Sequence, residues 1–229
     1  MPDFPKPAGS PVYLAMMVIG IGIGVVYWSR QAKNDPSLPL IYFGGLVGAF
    51  LGAKIAFLFS EAWLYTEHPE RWLIWLSGKS ITGALPGGWA GVEIMKRVVG
   101  YQGITGDRFA VLIPIPLALG RIGCLHAGCC QGNEVCGFTW PSIPVEIGFQ
   151  LLALVILFTL KRRQLFQGQL FHLYLIAYGL FRFAHEFLRD TPKPFLGLSG
   201  YQIICLLLSL TAAIAFVHRR NKMLESSIA

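Results

Sequence analysis

Apolar length constrains this chain more than any other feature. Seven stretches dominated by apolar side chains, roughly residues 12–29, 39–61, 81–99, 109–127, 143–160, 169–188 and 199–217, approach or exceed eighteen residues. At 1.5 Å per residue a helix of that length crosses about 30 Å of hydrocarbon. Backbone amides find no water there and must bond within the segment, which dictates helices. The expected fold is therefore an all-α integral membrane protein with seven transmembrane helices, one polytopic domain over residues 1–229. Charged residues make up only 14% of the 229, where a soluble domain carries about a quarter. Residues Met1 to Pro11 lack the n-region and cleavage site of a signal peptide, so the first span is expected to stay.

Charge sets the expected orientation. Arg30, Lys33, Lys96, Arg97, Arg108, Lys161, Arg162, Arg163, Arg219, Arg220 and Lys222 all follow odd-numbered spans. The other side mixes Lys6, Arg71, Lys79, Arg189 and Lys193 with acidic residues. The positive-inside rule then puts the N-terminus outside and the C-terminus in the cytoplasm. The net charge of +7 reads as topology rather than as a nucleic-acid surface, and no nucleic-acid partner is expected.

Smaller features fit the same frame. Gly83, Pro86, Gly87, Gly88 and Gly91 make span three a poor free helix but allow close packing in lipid. Pro114 and Pro116 are expected to kink span four. The segment from Arg71 to Lys79, with Trp72 and Trp75, reads as a helix lying on the outer membrane surface.

The chemistry concentrates in one stretch, Gly120-Arg121-Ile122-Gly123-Cys124-Leu125-His126-Ala127-Gly128-Cys129-Cys130-Gln131-Gly132. An arginine at membrane depth costs roughly 2.5–3.5 kcal/mol on insertion scales, so it is kept for a partner or a task. The glycines let backbone pass close to a ligand and leave N–H groups free for an anion. A phosphate-bearing lipid head group suits that equipment. Six further polar residues fall at the same level as Arg121, the outer head-group edge: Tyr13, Lys54, Glu146, Arg182, His185 and Glu186. Arg182 and Glu186 are four apart and share a helix face. Two readings are open, a shared polar cavity or several separate pairs and snorkelling side chains. Lys54 reaching to the head groups, Tyr13 in an aromatic belt, and His126 and His185 as satisfied helix histidines are the bland alternatives.

The thiols have three readings. Cys124, Cys129, Cys130 and Cys136 follow the spacing C-x4-C-C-x5-C, which lacks the paired C-x2-C of structural zinc sites. Cys124 or Cys129 paired with Cys136 on an oxidising face, small packing residues, or a thiolate activated by Arg121 remain open. No metal and no cofactor is expected. Cys205, inside span seven, reads as a buried hydrophobe.

These residues, taken in order, resemble the prolipoprotein diacylglyceryl transferase family over nearly the whole chain. Tyr13 with the Gly-rich span ending at Arg30, then Gly52-Ala53-Lys54, resemble the family's first two helices. His68-Pro69 and Gly78-Lys79-Ser80-Ile81 lead into a glycine-rich third. Gly120-Arg121-Ile122-Gly123 with Gly132 is similar to the family signature, and Arg182-Phe183 with Glu186-Phe187-Leu188-Arg189 to its late motif. The chain departs where the family has His-Gly-Gly and this sequence has Thr82-Gly83-Ala84. It departs again at Cys124 and Cys129, which replace an asparagine and an acidic residue.

The resemblance implies a multi-pass enzyme of the bacterial cytoplasmic (inner) membrane. It implies transfer of a diacylglyceryl group from a phosphatidylglycerol-like donor, drawn from the surrounding membrane lipids, to a thiol acceptor such as a lipoprotein precursor. Arg121 and Arg182 would bind the phosphate with Glu186 orienting them; the residues themselves, apart from the resemblance, add Cys124, Cys129 and Cys130 as expected catalytic thiols. Tyr13, Lys54, Thr82, Gly83 and Glu146 are expected to line the substrate site, with His126, Gly128, Gly132 and His185 beside them. Cys129, Cys130, His126 and His185 are the candidate bases. The rival expectation is a membrane thiol-redox or metal-handling protein on the same scaffold; a lipid-binding structural protein is a third.

Overall fold

The computed structural model describes residues 11–33, 35–135 and 137–228; the expectations resting on the residues before Pro11 and on Cys136 lie outside them. The long helices are α1 (Pro11–Ala32), α2 (Leu38–Glu61), α4 (Ile81–Val98), α7 (Ser142–Arg162), α8 (Leu170–His185) and α9 (Gly200–Ile228). A short α3 (Arg71–Ser77) precedes α4, and α5 (Gly106–Leu112) runs into α6 (Pro114–Ala127). The break at Ile113 falls just before Pro114, whose ring occupies the first turn of α6, where no N–H is missed. A two-stranded hairpin, β1 (Glu134–Val135) and β2 (Phe138–Thr139), is the sheet among the described residues.

Five helical stretches are long and apolar enough to cross a membrane: Pro11–Ala32, Leu38–Tyr65, Gly106–Ala127, Ser142–Arg162 and Gly200–Lys222. The chain is thus an all-helical, multi-pass membrane protein. The other two expected spans are helices too, and each misses for its own reason. Helix α4 carries Glu93, Lys96 and Arg97 within 18 residues. Helix α8 has 16 residues and passes into a 3-10 turn, Glu186–Leu188, at its charged end.

Small residues set the closest packing. Helices α2 and α4 run antiparallel, with Gly44, Gly48 and Gly52 facing Gly91, Gly87 and Gly83 in turn. A Cβ on Gly52 would lie 2.8 Å from Gly87 Cα, and one on Gly87 2.8 Å from Gly52 Cα. The glycines recur every four residues on both helices, one ridge against another, the small-residue contact that lets helices associate in lipid. Below the seam, Trp28 packs on Phe109 (ring centroids 4.6 Å apart) and Tyr42 (5.9 Å). Asp107 of α5 accepts hydrogen bonds from the Gly168 and Leu170 backbone N–H groups at 2.5 and 3.1 Å. That carboxylate fixes the start of α8 and hence the depth of everything α8 carries.

The chain alternates direction, so α6 and α8 end where α1, α7 and α9 begin. At that end Tyr13 of α1 lies on Gly123 of α6, where a Cβ would come 2.9 Å from Tyr13 Cα. Ser60 near the end of α2 touches Gly200 at the start of α9. The buried, ion-paired residues of α6, α7 and α8 gather here.

Candidate functional site

Five buried ionic side chains form one connected network. Arg121 lies midway along α6, Glu146 stands in the first turns of α7, Arg182 and Glu186 close α8, and Arg189 follows its 3-10 turn. All five are at most 5% exposed. Arg121 Nη2 lies 2.8 Å from Glu146 Oε1, and Arg182 Nη1 2.6 Å from Glu186 Oε2. Arg189 joins the two pairs, with Nη1 3.8 Å from Glu146 Oε2 and Nε 3.5 Å from Glu186 Oε2. Hydroxyls complete both carboxylates. Tyr178 donates to Glu146 at 3.3 Å, and Thr191 and Ser199 donate to Glu186 at 2.7 and 3.4 Å.

Three guanidiniums on two carboxylates leave one positive charge in the network. Two buried donors, Arg121 Nε and Arg182 Nε, have no hydrogen-bond partner. A buried donor left unmade costs about 1–3 kcal/mol, so both N–H groups can take an acceptor from a ligand. Glu61, at the end of α2, bonds to Tyr201 of α9 beside this network rather than pairing with an arginine.

From the sequence Arg189 reads as a loop charge. A long-range backbone match buries it. Asn133 N–H donates to Leu188 O at 2.9 Å, Asp190 N–H to Gln131 O at 3.4 Å, and Gly132 bridges to Arg189. The signal available was its place three residues after Glu186, one helical turn on. Tyr178, Thr191 and Ser199 carried no comparable signal.

The same loop brings the thiols to the network. Gly128 caps α6 in the left-handed conformation (φ 66°), and the chain turns so that Cys124, Cys129 and Cys130 converge, their sulfurs all within 4.8 Å of one another. Cys130 itself has φ 63°, a left-handed conformation that costs a non-glycine residue energy and is held by its surroundings. Here Ser142 Oγ donates to Cys130 O at 2.6 Å. Arg121 Nη1 lies 3.9 Å from Cys124 Sγ. Donation from the Cys124 and then the Cys129 thiol, helped by Arg121 and Arg189, holds the Cys130 thiol well below the ordinary range. Hydrogen bonding with Cys124 and Cys130 pushes Cys129 up. Cys124, Cys129 and Cys130 are free thiols.

The remaining expected site residues divide. Tyr13 is half-buried and near enough to Cys124, Cys129, Cys130 and Arg121 to interact electrostatically with all four. Gly132 packs its backbone on Trp140 and holds the loop. Lys54 donates instead to Trp75 O, Leu76 O and Gly78 O at 2.6, 2.6 and 2.8 Å, closing the end of α3. Gly83 is committed to the α2 seam, and Thr82 hydrogen-bonds Ser80 at 2.7 Å. His126 is exposed. His185 is buried, and Trp140 Nε1–H donates to its Nε2 at 3.1 Å, which occupies the lone pair a base would use.

A groove elsewhere on the helices contains none of these residues. Ile23, Tyr27, Phe158, Arg108, Lys161 and Arg162 are among those lining it, at the far end of α7 from Glu146.

Residues 10–218 match the family model for prolipoprotein diacylglyceryl transferase. Proteins named phosphatidylglycerol–prolipoprotein diacylglyceryl transferase share significant similarity. That of Paracidovorax citrulli is 28% identical over 227 residues, covering 87% of this chain and 80% of its own. That of Clostridium tetani is 27% identical over 202 residues, 79% and 81%. That of Dehalococcoides mccartyi is 26% identical over 242 residues, 93% and 91%.

Proposed function

The chain belongs to the prolipoprotein diacylglyceryl transferase family, and from that premise we propose that it transfers the diacylglyceryl group of phosphatidylglycerol to a prolipoprotein cysteine. It does so from the bacterial inner membrane with seven spans, α4 and α8 included, the N-terminus outside and the C-terminus in the cytoplasm. The network then lies at the outer head-group level.

One observation carries the residue roles. Two buried guanidiniums keep an unpaired Nε–H each in a network with a single excess positive charge. A phosphodiester carries one negative charge and accepts hydrogen bonds, so it answers both. Arg121 and Arg182 bind it, Glu146 and Glu186 hold those arginines in place, and Arg189 ties the two halves together. The acceptor thiolate attacks the glyceryl carbon, a C–S bond forms, and the C–O bond to phosphorus breaks. Glycerol phosphate leaves with one more negative charge than the diester had. Fixed guanidiniums stabilise that developing charge more than the ground state, the condition for lowering the barrier.

The rival reading, a thiol-redox or metal-handling protein on this scaffold, leaves the arginine network without a task. The test uses purified protein in nanodiscs with phosphatidylglycerol and a prolipoprotein-derived peptide carrying its cysteine. Glycerol phosphate release that depends on the peptide, and falls in Arg121→Lys and Arg182→Lys while the melting point holds, supports the proposal. Release that ignores the peptide, or survives both substitutions, overturns it.

A further inference from the structure

We propose that Cys124, Cys129 and Cys130 form a three-thiolate site for a thiophilic divalent ion of the zinc type, with an open fourth position for the acceptor thiol. The metal site stands on geometry alone; the identity of its fourth ligand rests on the transferase reading above.

Distance comes first. A zinc–thiolate bond of about 2.3 Å separates the sulfurs of a tetrahedral or trigonal site by roughly 3.8–4.0 Å. The three sulfurs lie within 4.8 Å of one another, so small side-chain rotations close the site. The backbone is already shaped for it. Two adjacent cysteines in extended chain point to opposite faces. Here the left-handed turns at Gly128 and Cys130 bring both sulfurs round to Cys124. Ser142 anchors Cys130 from α7, and the 187–190 segment anchors the following residues by backbone bonds.

Charge comes second. Three thiolates and one divalent ion sum to −1. A bare cluster of that charge is costly near lipid, and the guanidinium of Arg121, 3.9 Å from Cys124 Sγ, offsets it. Three protein ligands with one place open is the arrangement of catalytic zinc; structural sites fill all four. The sequence spacing that argues against a structural site is therefore no objection to an open one.

Chemistry comes third. His185 Nε2 is taken by Trp140, and His126 is exposed. A thiol that coordinates such an ion is deprotonated outright, so no protein base is required. The acceptor S–H proton leaves to solvent as sulfur binds the metal. The sulfur's electron pair then forms the C–S bond. The C–O bonding pair departs on glycerol phosphate, and the metal keeps its oxidation state. The cluster adjoins Arg121, which places nucleophile and leaving phosphate side by side.

The test begins with reduced, metal-free protein in detergent, titrated with Co2+ and separately with Zn2+. One equivalent of Zn2+ should stay bound through desalting, and Co2+ should give thiolate charge-transfer and tetrahedral d–d absorption. Cys124→Ser, Cys129→Ser and Cys130→Ser should each weaken binding by at least the roughly 10–100-fold that loss of a supporting contact alone costs, while Cys205→Ser leaves it unchanged. A peptide with the acceptor cysteine should shift the cobalt d–d bands, and its serine counterpart should not. Where a variant melts far below wild type, reversible thiol blocking of the wild-type chain replaces it. Folded, reduced protein that binds no metal, or binding that survives all three substitutions, overturns the site. Band shifts with the serine peptide overturn the open position. Glycerol phosphate release, measured on the same samples with and without chelator, separates the two proposals. Release undiminished in metal-free protein removes the metal and keeps the transferase, whereas a cobalt site without release from phosphatidylglycerol does the reverse.

Discussion

The α2–α4 seam and the corner where α6, α7 and α8 meet are both tightly packed, by opposite means. The seam is made by taking side chains away, so that Gly48, Gly52, Gly83 and Gly87 set backbone against backbone. The corner is made by burying five charges and arranging that each carboxylate meets two guanidiniums. The glycines of the seam carry no side-chain donor or acceptor that could be left unpaired. In the corner two arginine donors remain unpaired. A region that satisfies itself supports the fold; a region that does not is waiting for a ligand. Changes in the corner should therefore cost both stability and turnover, and changes in the seam stability alone.

Arg189→Ala should show the largest effect. It takes one guanidinium from each carboxylate and cancels the network's positive charge. Breaking a buried pair by removing one partner costs about 3–5 kcal/mol. The thermal midpoint in detergent should fall steeply, and glycerol phosphate release should be lost from whatever protein remains folded. A variant that melts and turns over as wild type would erase the distinction between the two regions.

Gly87→Val sharpens the comparison from the other side. Its Cβ meets Gly48 O and Gly52 Cα, which are backbone and cannot rotate away. Overpacking of this kind costs about 1–3 kcal/mol, read as a lower melting point. Release per folded molecule, with folded protein counted by size-exclusion chromatography, should stay at the wild-type value. A raised KM for lipid at full folding would mean the seam belongs to the site after all.

How much of this was legible in the sequence follows from sequence distance. Arg182 and Glu186 lie one helical turn apart, and their pairing was readable, as was the break before Pro114. The convergence of Arg121, Glu146 and Arg182 was also readable, because charges in apolar runs stand out. The burial of Arg189 was not, since it depends on residues 131–133 folding back on residues 188–190. The convergence of three sulfurs was hidden as well, because it needs two left-handed residues. Residue type alone leaves three positions open to a structural role. Gly83 suits a ligand cradle or a helix seam equally, and its partner Gly52 decides. His185 suits a base until Trp140, 45 positions earlier, claims its lone pair. Lys54 suits a phosphate until α3 offers it three carbonyls.

Trp140→Phe tests the second of these with a smaller effect. It removes one hydrogen bond, worth about 0.5–1.5 kcal/mol, and frees His185 Nε2. Modification of His185 by an acylating imidazole reagent, followed by peptide mass spectrometry, should become faster than in wild type. An unchanged rate would mean Trp140 does not hold that nitrogen, and would restore His185 as a candidate base.

Lys54→Met is expected to do least, and for that reason decides most about where the site ends. Its ammonium sits at the C-terminal carbonyls of a seven-residue helix, at 2.6, 2.6 and 2.8 Å. A cation there stabilises a helix end by about 0.3–1 kcal/mol, and the half-exposed carbonyls regain water when it goes. Methionine keeps the apolar stem and removes only the charge. The expected outcome is a melting point within a few degrees of wild type and unchanged release at every lipid concentration. A phosphate ligand would behave otherwise: KM for phosphatidylglycerol would rise while stability held. The carbonyls of Trp75, Leu76 and Gly78 already use all three of the ammonium's N–H donors, so the lysine has none left for a lipid.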